Sequence, residues 1–246
     1  MGRISLSLNC WFALTTDSSI LDIIKFGYKI DFTSPPRQTC SPAAFPINKA
    51  ESEAVDVALQ ELLRLGAIIK CTHLRDQFVS SIFTRPKKNG KIRIIINLKQ
   101  LNGFIKYEHF KMEHLSAVLG LVEHNDWFCG LYLENAYFSV PVYPDHRRYL
   151  RFSWKGQLYE YQVLCFGLCS APRAFTKIMK PVMVALRERG IKCSSYIDDF
   201  IFMADSSILV ERHVRAASEL LGNLGFSINF GKSRFSASRS YKHLGH

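Results

Sequence analysis

The chain has 246 residues, of which 48% are hydrophobic and 13% aromatic, a composition that supports a packed core and excludes a disordered chain. Its net charge of +11 and pI near 9.4 favour a polyanionic partner, nucleic acid before an acidic membrane. No apolar run approaches the ~18 residues that a membrane span requires. The seven cysteines, odd in number and without a C-x-x-C pair, indicate reduced thiols in an intracellular protein.

The predicted elements begin after a short N-terminal segment and a Pro- and Ser-rich stretch at residues 33–48, which we interpret as an extended linker. Apolar residues at helical spacing predict a helix at 51–66. Residues 78–98 predict two strands joined at Asn89-Gly90, a strong hairpin signal. Basic side chains lie in and after this turn: Lys87, Lys88, Lys91 and Arg93.

Helices and short strands continue to alternate along the rest of the chain. In order, the sequence predicts a helix at 111–123, a strand at 127–133, a hairpin at 147–164 turning near Lys155-Gly156, a helix at 170–190, a strand–turn–strand unit at 193–204, a helix at about 207–223 and a strand at 226–230. Ser170 is a candidate N-cap, and Pro181 is expected to bend its helix. Hairpins together with packed helices predict a mixed α+β protein.

Two adjacent aspartates, Asp198 and Asp199, lie between the apolar runs of the unit at 193–204. Taken alone, they are better explained by a solvated acidic turn. Like charges this close raise each other's pKa unless a cation intervenes. Mg²⁺ accepts one or two carboxylates together with substrate phosphates, and paired ions serve nucleotidyl transfer. The basic residues before the pair, and Lys232 and Arg234 beyond it, favour the metal site of a nucleic-acid enzyme.

Five segments occur in a characteristic order: "RPKKNGKIRIIINLKQLN" (85–102), "FGLCSAPRAF" (166–175), "YIDD" (196–199), "LGFSINFGKS" (224–233) and the final "HLGH". They resemble, in turn, five parts of the reverse transcriptases of retrotransposons: the fingers hairpin, a nucleotide-contacting palm motif, the Y-x-D-D motif, the next palm motif and the start of the primer-grip segment. The sequence segments "GYKIDFTSPP" and "FKMEHL" are most similar to those of DIRS-like elements, which pair this enzyme with a tyrosine recombinase.

The resemblance implies an α+β right-hand polymerase fold with fingers and palm, acting as an RNA-directed DNA polymerase with Mg²⁺ or Mn²⁺. Its implied partners are an RNA template, a DNA primer and deoxynucleoside triphosphates, with no membrane. We expect an N-terminal extension and linker at 1–47, fingers at 48–125 and a palm at 126–246. The palm would contain a fingers-type insertion at about 143–165 and would stop before a thumb and a ribonuclease H domain.

The resemblance also assigns roles to individual residues. Asp198 and Asp199 would hold the metal ions, and Tyr137 would exclude ribonucleotides. Arg93, helped by Lys87 or Lys88, would neutralise the triphosphate. The full set expected around the nucleotide is Lys87, Lys88, Arg93, Asn135, Ala136, Tyr137, Phe166, Gly167 and Lys232.

The chain departs from the family where a third metal-binding carboxylate is expected. The family pattern resembles L-D-L-K-D-A-Y-F-S-V, whereas this chain has "LYLENAYFSV" at 131–140, with Tyr132 and Asn135 in place of aspartates. A phenol is neutral below a pKa near 10 and offers one oxygen. A loss of ~4 kcal/mol of transition-state stabilisation slows a reaction about a thousandfold. Glu134 shares the face of Tyr132 only if the strand continues.

Three interpretations follow from this departure. The chain is a reverse transcriptase impaired in catalysis, or a non-catalytic relic that binds template–primer through phosphate contacts with little sequence preference. The third interpretation is a fragment that folds poorly without a thumb and exposes apolar surface.

Overall fold

A computed structural model of the chain describes residues 2–39, 48–86, 90, 92–110 and 118–241. Its α-helices are α1 (Leu8–Leu14), α2 (Ser18–Phe26), α3 (Lys49–Arg64), α4 (Lys99–Asn102), α5 (Ala171–Glu188) and α6 (Ser207–Asn223). Its strands are β1 (Ile68–Cys71), β2 (Val79–Ser80), β3 (Ile82–Pro86), β4 (Ile92–Ile96), β5 (Trp127–Tyr132), β6 (Arg151–Trp154), β7 (Gln157–Tyr161), β8 (Lys192–Tyr196), β9 (Asp199–Ala204) and β10 (Arg234–Ser238). Short 3₁₀ segments lie at Arg3–Ser7, Ala136–Ser139 and Pro144–Tyr149.

An antiparallel sheet of order β10-β5-β9-β8, here called the central sheet, forms one half of the molecule. Helix α6 packs on β5 and β9, and α5 packs on β8. Because side chains alternate along a strand, Leu131 and Phe200 point into this helix-covered core. The opposite face carries a second, smaller cluster of Val118, Ile201 and Met203. The side chains of the candidate site lie on this opposite face.

The other half contains a sheet of order β1-β7-β6-β2 and a two-stranded hairpin of β3 and β4. Helix α3 packs against β4 and β1. A capping box begins this helix: the Asn48 side chain accepts the Glu51 N–H at 2.9 Å, and the Glu51 carboxylate accepts the Asn48 N–H at 3.3 Å. The hairpin therefore projects from a packed base toward the central sheet.

The N-terminal helices pack on the same core as the central sheet. Ile4 and Trp11 are fully buried, and the Trp11 indole N–H donates to the Leu224 carbonyl at 3.1 Å. The Trp11 ring also meets Phe226 edge-on at 6.2 Å between centroids. Residues before the Pro-rich stretch thus contribute to the packing beneath α5 and α6.

The structure confirms most elements predicted from the sequence, including the α+β class. The predicted strand at 226–230 is wrong: only Ile228 forms a bridge, with Leu133, and the paired strand is β10. Ser170 lies at the N-cap position of α5, but its side chain makes no capping hydrogen bond. Helix α5 continues past Pro181. The helix predicted at 111–123 lies mostly outside the described residues, which are helical at 118–119 and then turn.

Candidate active site

A two-residue turn presents the adjacent aspartates. Tyr196 pairs with Asp199 across the β8–β9 hairpin, so Ile197 and Asp198 form its loop. Ile197 has φ of 55°, in the left-handed region that β-branched residues rarely adopt and that costs about 1–3 kcal/mol. The turn leaves Asp198 exposed at the tip, whereas Asp199 is 7% exposed at the start of β9.

Tyr132 lies directly opposite Asp199 on the neighbouring strand. It is the last residue of β5, and its backbone N–H donates to the Ser233 hydroxyl at 2.9 Å. Its phenol donates to Asp199 Oδ2 at 3.0 Å. Burial, followed by the charge of Asp199, raises the pKa of Tyr132, so this phenol stays protonated. The residue at the expected carboxylate position therefore contacts one of the remaining carboxylates as a neutral donor.

Tyr241, which the sequence did not indicate, lies beside the hydrogen bond between Tyr132 and Asp199. Its hydroxyl lies over Gly130, where an added Cβ would fall 1.5 Å from the oxygen. Burial raises the pKa of Tyr241 to about 12, and the nearby Asp199 charge and Tyr132 side chain also act on this hydroxyl. Its ring packs on the cluster formed by Ile201 and Met203. A glycine inside a strand signals close approach of another group, and Gly130 is the feature that could have suggested this contact.

The exposed aspartate is influenced by charges of both signs. Desolvation raises the pKa of Asp198, and the charge of Asp199 adds to this effect. Lys232 and Arg93 act in the opposite direction because their positive charges favour the carboxylate. The structure thus brings together two predicted phosphate-binding cations and the tip of the aspartate hairpin, although the three residues come from separate segments.

Aromatic rings connect Arg93 to the buried part of the site. The Arg93 guanidinium lies 4.4 Å from the centroid of Phe166, a cation–π contact. Phe166 packs on Tyr137 at 5.4 Å, and Tyr137 meets Phe175 edge-on at 5.8 Å. Tyr137 is 8% exposed, and burial, followed by the Asp198 charge, raises its pKa to about 12. The residue predicted to check the sugar therefore lies between the aspartate tip and the Phe166 ring.

Gly167 permits a close approach between the loop that carries Phe166 and the β3–β4 hairpin. Its φ is 107°, and an added Cβ would lie 2.1 Å from the Ile96 carbonyl oxygen. Asn102 holds the same loop, since its side chain donates to the Gly167 carbonyl at 2.9 Å and accepts the Cys169 N–H at 3.1 Å. The predicted nucleotide-pocket motif is thereby fixed to the neighbouring half of the molecule.

The remaining predicted residues do not complete the carboxylate set. Glu134 is exposed and lies in a turn beyond the end of β5. The strand does not continue through Glu134, so strand alternation does not place it on the face of Tyr132. Asn135 has a left-handed φ of 51° and precedes the 3₁₀ turn that starts at the buried Ala136. Among the residues that the structure describes, no group of three or more His, Cys, Asp or Glu side chains could hold a metal. Lys87 and Lys88 lie outside the described residues.

These donors do not fit a two-ion centre. Paired Mg²⁺ ions require carboxylate oxygens that face both ions. Here Asp198 and Asp199 supply carboxylates, but a neutral phenol occupies the third position and hydrogen-bonds to Asp199 Oδ2.

An antiparallel sheet backed by two helices, with an aspartate hairpin on its open face and a second sheet and hairpin beside it, defines the palm and fingers of a right-hand polymerase. Residues 85–246 match the family described as reverse transcriptase (RNA-dependent DNA polymerase). The chain belongs to the reverse transcriptase family.

Curated relatives point to retrotransposons. The Transposon Tf2-3 and Tf2-7 polyproteins of Schizosaccharomyces pombe are each 23% identical to the chain over 195 residues, or 79% of its length. The chain spans 14% of the length of these relatives. It is therefore similar to the reverse transcriptase portion of longer polyproteins.

Solved structures support the same fold. The foamy viral protease–reverse transcriptase in complex with dsDNA aligns with a TM-score of 0.72 at 20% identity, covering 88% of this chain and 44% of that one. The same viral protein in complex with an RNA/DNA hybrid gives a TM-score of 0.67 at 20% identity, covering 84% and 28%. In the described part of the chain, no helix has the length and apolarity needed to cross a membrane.

Proposed function

We propose that the chain is the fingers and palm of a retrotransposon RNA-directed DNA polymerase whose metal-dependent chemistry is disabled at Tyr132. Intact members of the family use divalent ions, Mg²⁺ or Mn²⁺ in this proposal, to add deoxynucleotides to a primer. The observation that carries the proposal is the 3.0 Å hydrogen bond from the Tyr132 phenol to Asp199 Oδ2. This bond joins the residue at the lost carboxylate position to one of the two aspartates that remain.

The recognition surface remains in place under this proposal. The open face of the central sheet receives an RNA template paired with a DNA primer, and the net charge of +11 supplies phosphate contacts. Arg93, held on the Phe166 ring, and Lys232 would contact the triphosphate of an incoming deoxynucleotide. Tyr137 would pack against its sugar, and Gly167 would shape the pocket that receives its base.

We also propose a DIRS-like origin and an intracellular location. The DIRS-like origin rests on the segments "GYKIDFTSPP" and "FKMEHL". The intracellular location rests on the odd number of cysteines. Recovery of a tyrosine recombinase reading frame beside the coding sequence would support the DIRS-like assignment, and its absence at intact copies would contradict it.

A second candidate, a non-catalytic nucleic-acid-binding relic, is favoured by the same contact. A protein donor, the Tyr132 phenol, already occupies Oδ2 of Asp199 at the position where the family has a third carboxylate. The two candidates differ in whether an otherwise competent polymerase site survives around Tyr132.

Primer extension on an RNA template with Mg²⁺ or Mn²⁺ separates the candidates. We compare the unaltered chain with Tyr132→Asp and with Tyr132→Asp/Asn135→Asp. The impaired polymerase predicts incorporation in the variants at a rate about 1000-fold above the unaltered chain, if the restored carboxylate returns ~4 kcal/mol of transition-state stabilisation. Product from the variants that disappears with Asp198→Asn assigns the activity to this site.

The opposite results are equally informative. Incorporation by the unaltered chain that Glu134→Gln abolishes would contradict the proposal and make Glu134 the substitute ligand. Variants that bind template–primer but never extend it would favour the relic.

A further inference from the structure

The contact between Tyr132 and Asp199 belongs to a larger cluster that also holds Tyr241. Tyr132 donates to Asp199 Oδ2 at 3.0 Å, and the Tyr241 hydroxyl lies over Gly130, where Tyr132 and the charge of Asp199 both act on it. All three side chains lie on the open face of the central sheet. This face carries the aspartate hairpin, so the cluster occupies the position at which an ion would approach.

Gly130 makes room for the second tyrosine. Gly130 precedes Tyr132 by two residues on β5 and therefore faces the same side. A Cβ on Gly130 would fall 1.5 Å from the Tyr241 oxygen, so any larger residue would displace this hydroxyl. The ring of Tyr241 is held from beneath by Ile201 and Met203. The second hydroxyl is thus positioned by packing and by the lack of a side chain at 130.

The Tyr132 phenol occupies one oxygen of the carboxylate, Asp199 Oδ2, without a cation. Phenols are neutral donors at physiological pH, and a hydrogen bond to an ionised acceptor is among the stronger kinds. An ion that bound Asp199 Oδ2 would have to displace the Tyr132 hydroxyl. It would gain no anionic ligand from Tyr132, because the phenol is neutral. Near Asp198, the positive charges of Lys232 and Arg93 oppose an approaching cation.

We propose that Tyr132 and Tyr241 form a hydroxyl lock on Asp199, which prevents divalent-metal binding in the unaltered chain and still weakens it when Tyr132 alone is replaced. The inference rests on the proposed function for the meaning of the site, but it concerns metal binding by the free protein. It names Tyr241 as a positioning residue. It also implies that replacing Tyr132 alone restores the metal site only in part, because the Tyr241 hydroxyl remains beside the carboxylates.

Mn²⁺ binding to the purified chain, followed by electron paramagnetic resonance without nucleic acid or nucleotide, tests the lock. The variants are Tyr132→Asp, Tyr132→Asp/Tyr241→Phe and Tyr132→Asp/Gly130→Ala. The last displaces the second hydroxyl by sterics instead of deletion. Tyr132→Asp/Tyr107→Phe is the matched control, since Tyr107 is 78% exposed and lies outside the cluster. Circular dichroism checks that each variant folds.

The lock predicts no saturable Mn²⁺ binding by the unaltered chain and weak binding by Tyr132→Asp. Both double variants should bind about 10-fold more tightly than Tyr132→Asp, within the range by which residues around a metal ligand alter affinity. The control should match Tyr132→Asp. Double variants that bind no better than Tyr132→Asp would remove Tyr241 from the lock.

The unaltered chain provides a test that needs no variant to fold correctly. Saturable Mn²⁺ binding by this chain, lost in Asp199→Asn, would overturn the inference outright. Failure of the proposed function looks different, because it appears as loss of template–primer binding while the Mn²⁺ results stand.

Discussion

Gly167 shows at the scale of one residue how the nucleotide-pocket motif depends on backbone geometry. Its φ of 107° is unfavourable for any side chain, and the Ile96 carbonyl occupies the space of a Cβ at 2.1 Å. Both effects act at the boundary between fingers and palm. The identity of this residue is therefore set by a contact between two halves of the molecule.

We predict that Gly167→Ala lowers the free energy of unfolding by at least about 2 kcal/mol, because the carbonyl of Ile96 must move as well as the backbone of residue 167. Gly156→Ala is the matched control: its φ is 80°, and nothing lies within 4 Å of an added Cβ. That variant should lose only about 1 kcal/mol, the cost of the left-handed backbone alone. Urea denaturation measures both, and equal losses would contradict the close contact.

Residue identities in the site were visible in the sequence only where a motif marked them. Tyr132 stands out because the flanking residues "AYFSV" fix the register of the strand. Tyr241 does not, since its contact with Gly130 joins residues distant in sequence and depends on the packing of the open face. The left-handed Ile197 was equally hidden, because β-branched residues give no turn signal.

At the scale of elements, local turn chemistry predicted the β6–β7 hairpin, whereas Asn89 of the other predicted turn lies outside the described residues. Lys155 and Gly156 have φ of 47° and 80°, both positive as a tight two-residue turn requires. The predicted strand at 226–230 failed for a tertiary reason. Asn229 turns the chain by accepting the Lys232 N–H at its side chain at 3.0 Å, and the edge of β5 pairs with β10 instead. Alternating hydrophobicity does not reveal which segment captures an edge.

The 3₁₀ segment Pro144–Tyr149 has a pH-sensitive contact with the N-terminal part of the chain. His146 Nδ1 accepts the Ile30 N–H at 2.9 Å, which requires this nitrogen to be unprotonated. Burial lowers the pKa of His146 below its usual 6.5, while Asp145 raises it and Lys29 lowers it by smaller amounts. The unfolded chain therefore binds more protons than the folded chain as pH falls below about 6.5.

We predict that stability is full above about pH 6.5 and declines as pH falls toward the lowered pKa of His146. His146→Asn keeps an acceptor near the Ile30 N–H but does not titrate, so its stability should decline less. Urea denaturation at about pH 7.5 and pH 5.5 gives the comparison. Burial also lowers the pKa of His213. This residue contributes equally to the pH dependence of the unaltered chain and of the His146→Asn variant. Parallel declines in the two chains would show that His146 is not responsible.

At the scale of the whole molecule, the ordered motifs predicted the family. Composition could not predict that residues before the Pro-rich stretch would enter the core, because this depends on Trp11 finding Leu224 and Phe226 beneath the palm. The assembled protein combines a basic, packed polymerase fold with an aspartate whose Oδ2 accepts a hydrogen bond from its own Tyr132. Under the proposed function, recognition of nucleic acid is separable from metal-dependent chemistry in this chain.

The most direct test of this separation is the fluorescence anisotropy of a labelled RNA–DNA template–primer, titrated with the unaltered chain in EDTA and in Mg²⁺ at equal ionic strength. We predict the same affinity in both, with at least a tenfold weakening between about 50 and 200 mM salt. Binding that requires Mg²⁺, or no binding at low salt, would contradict the account.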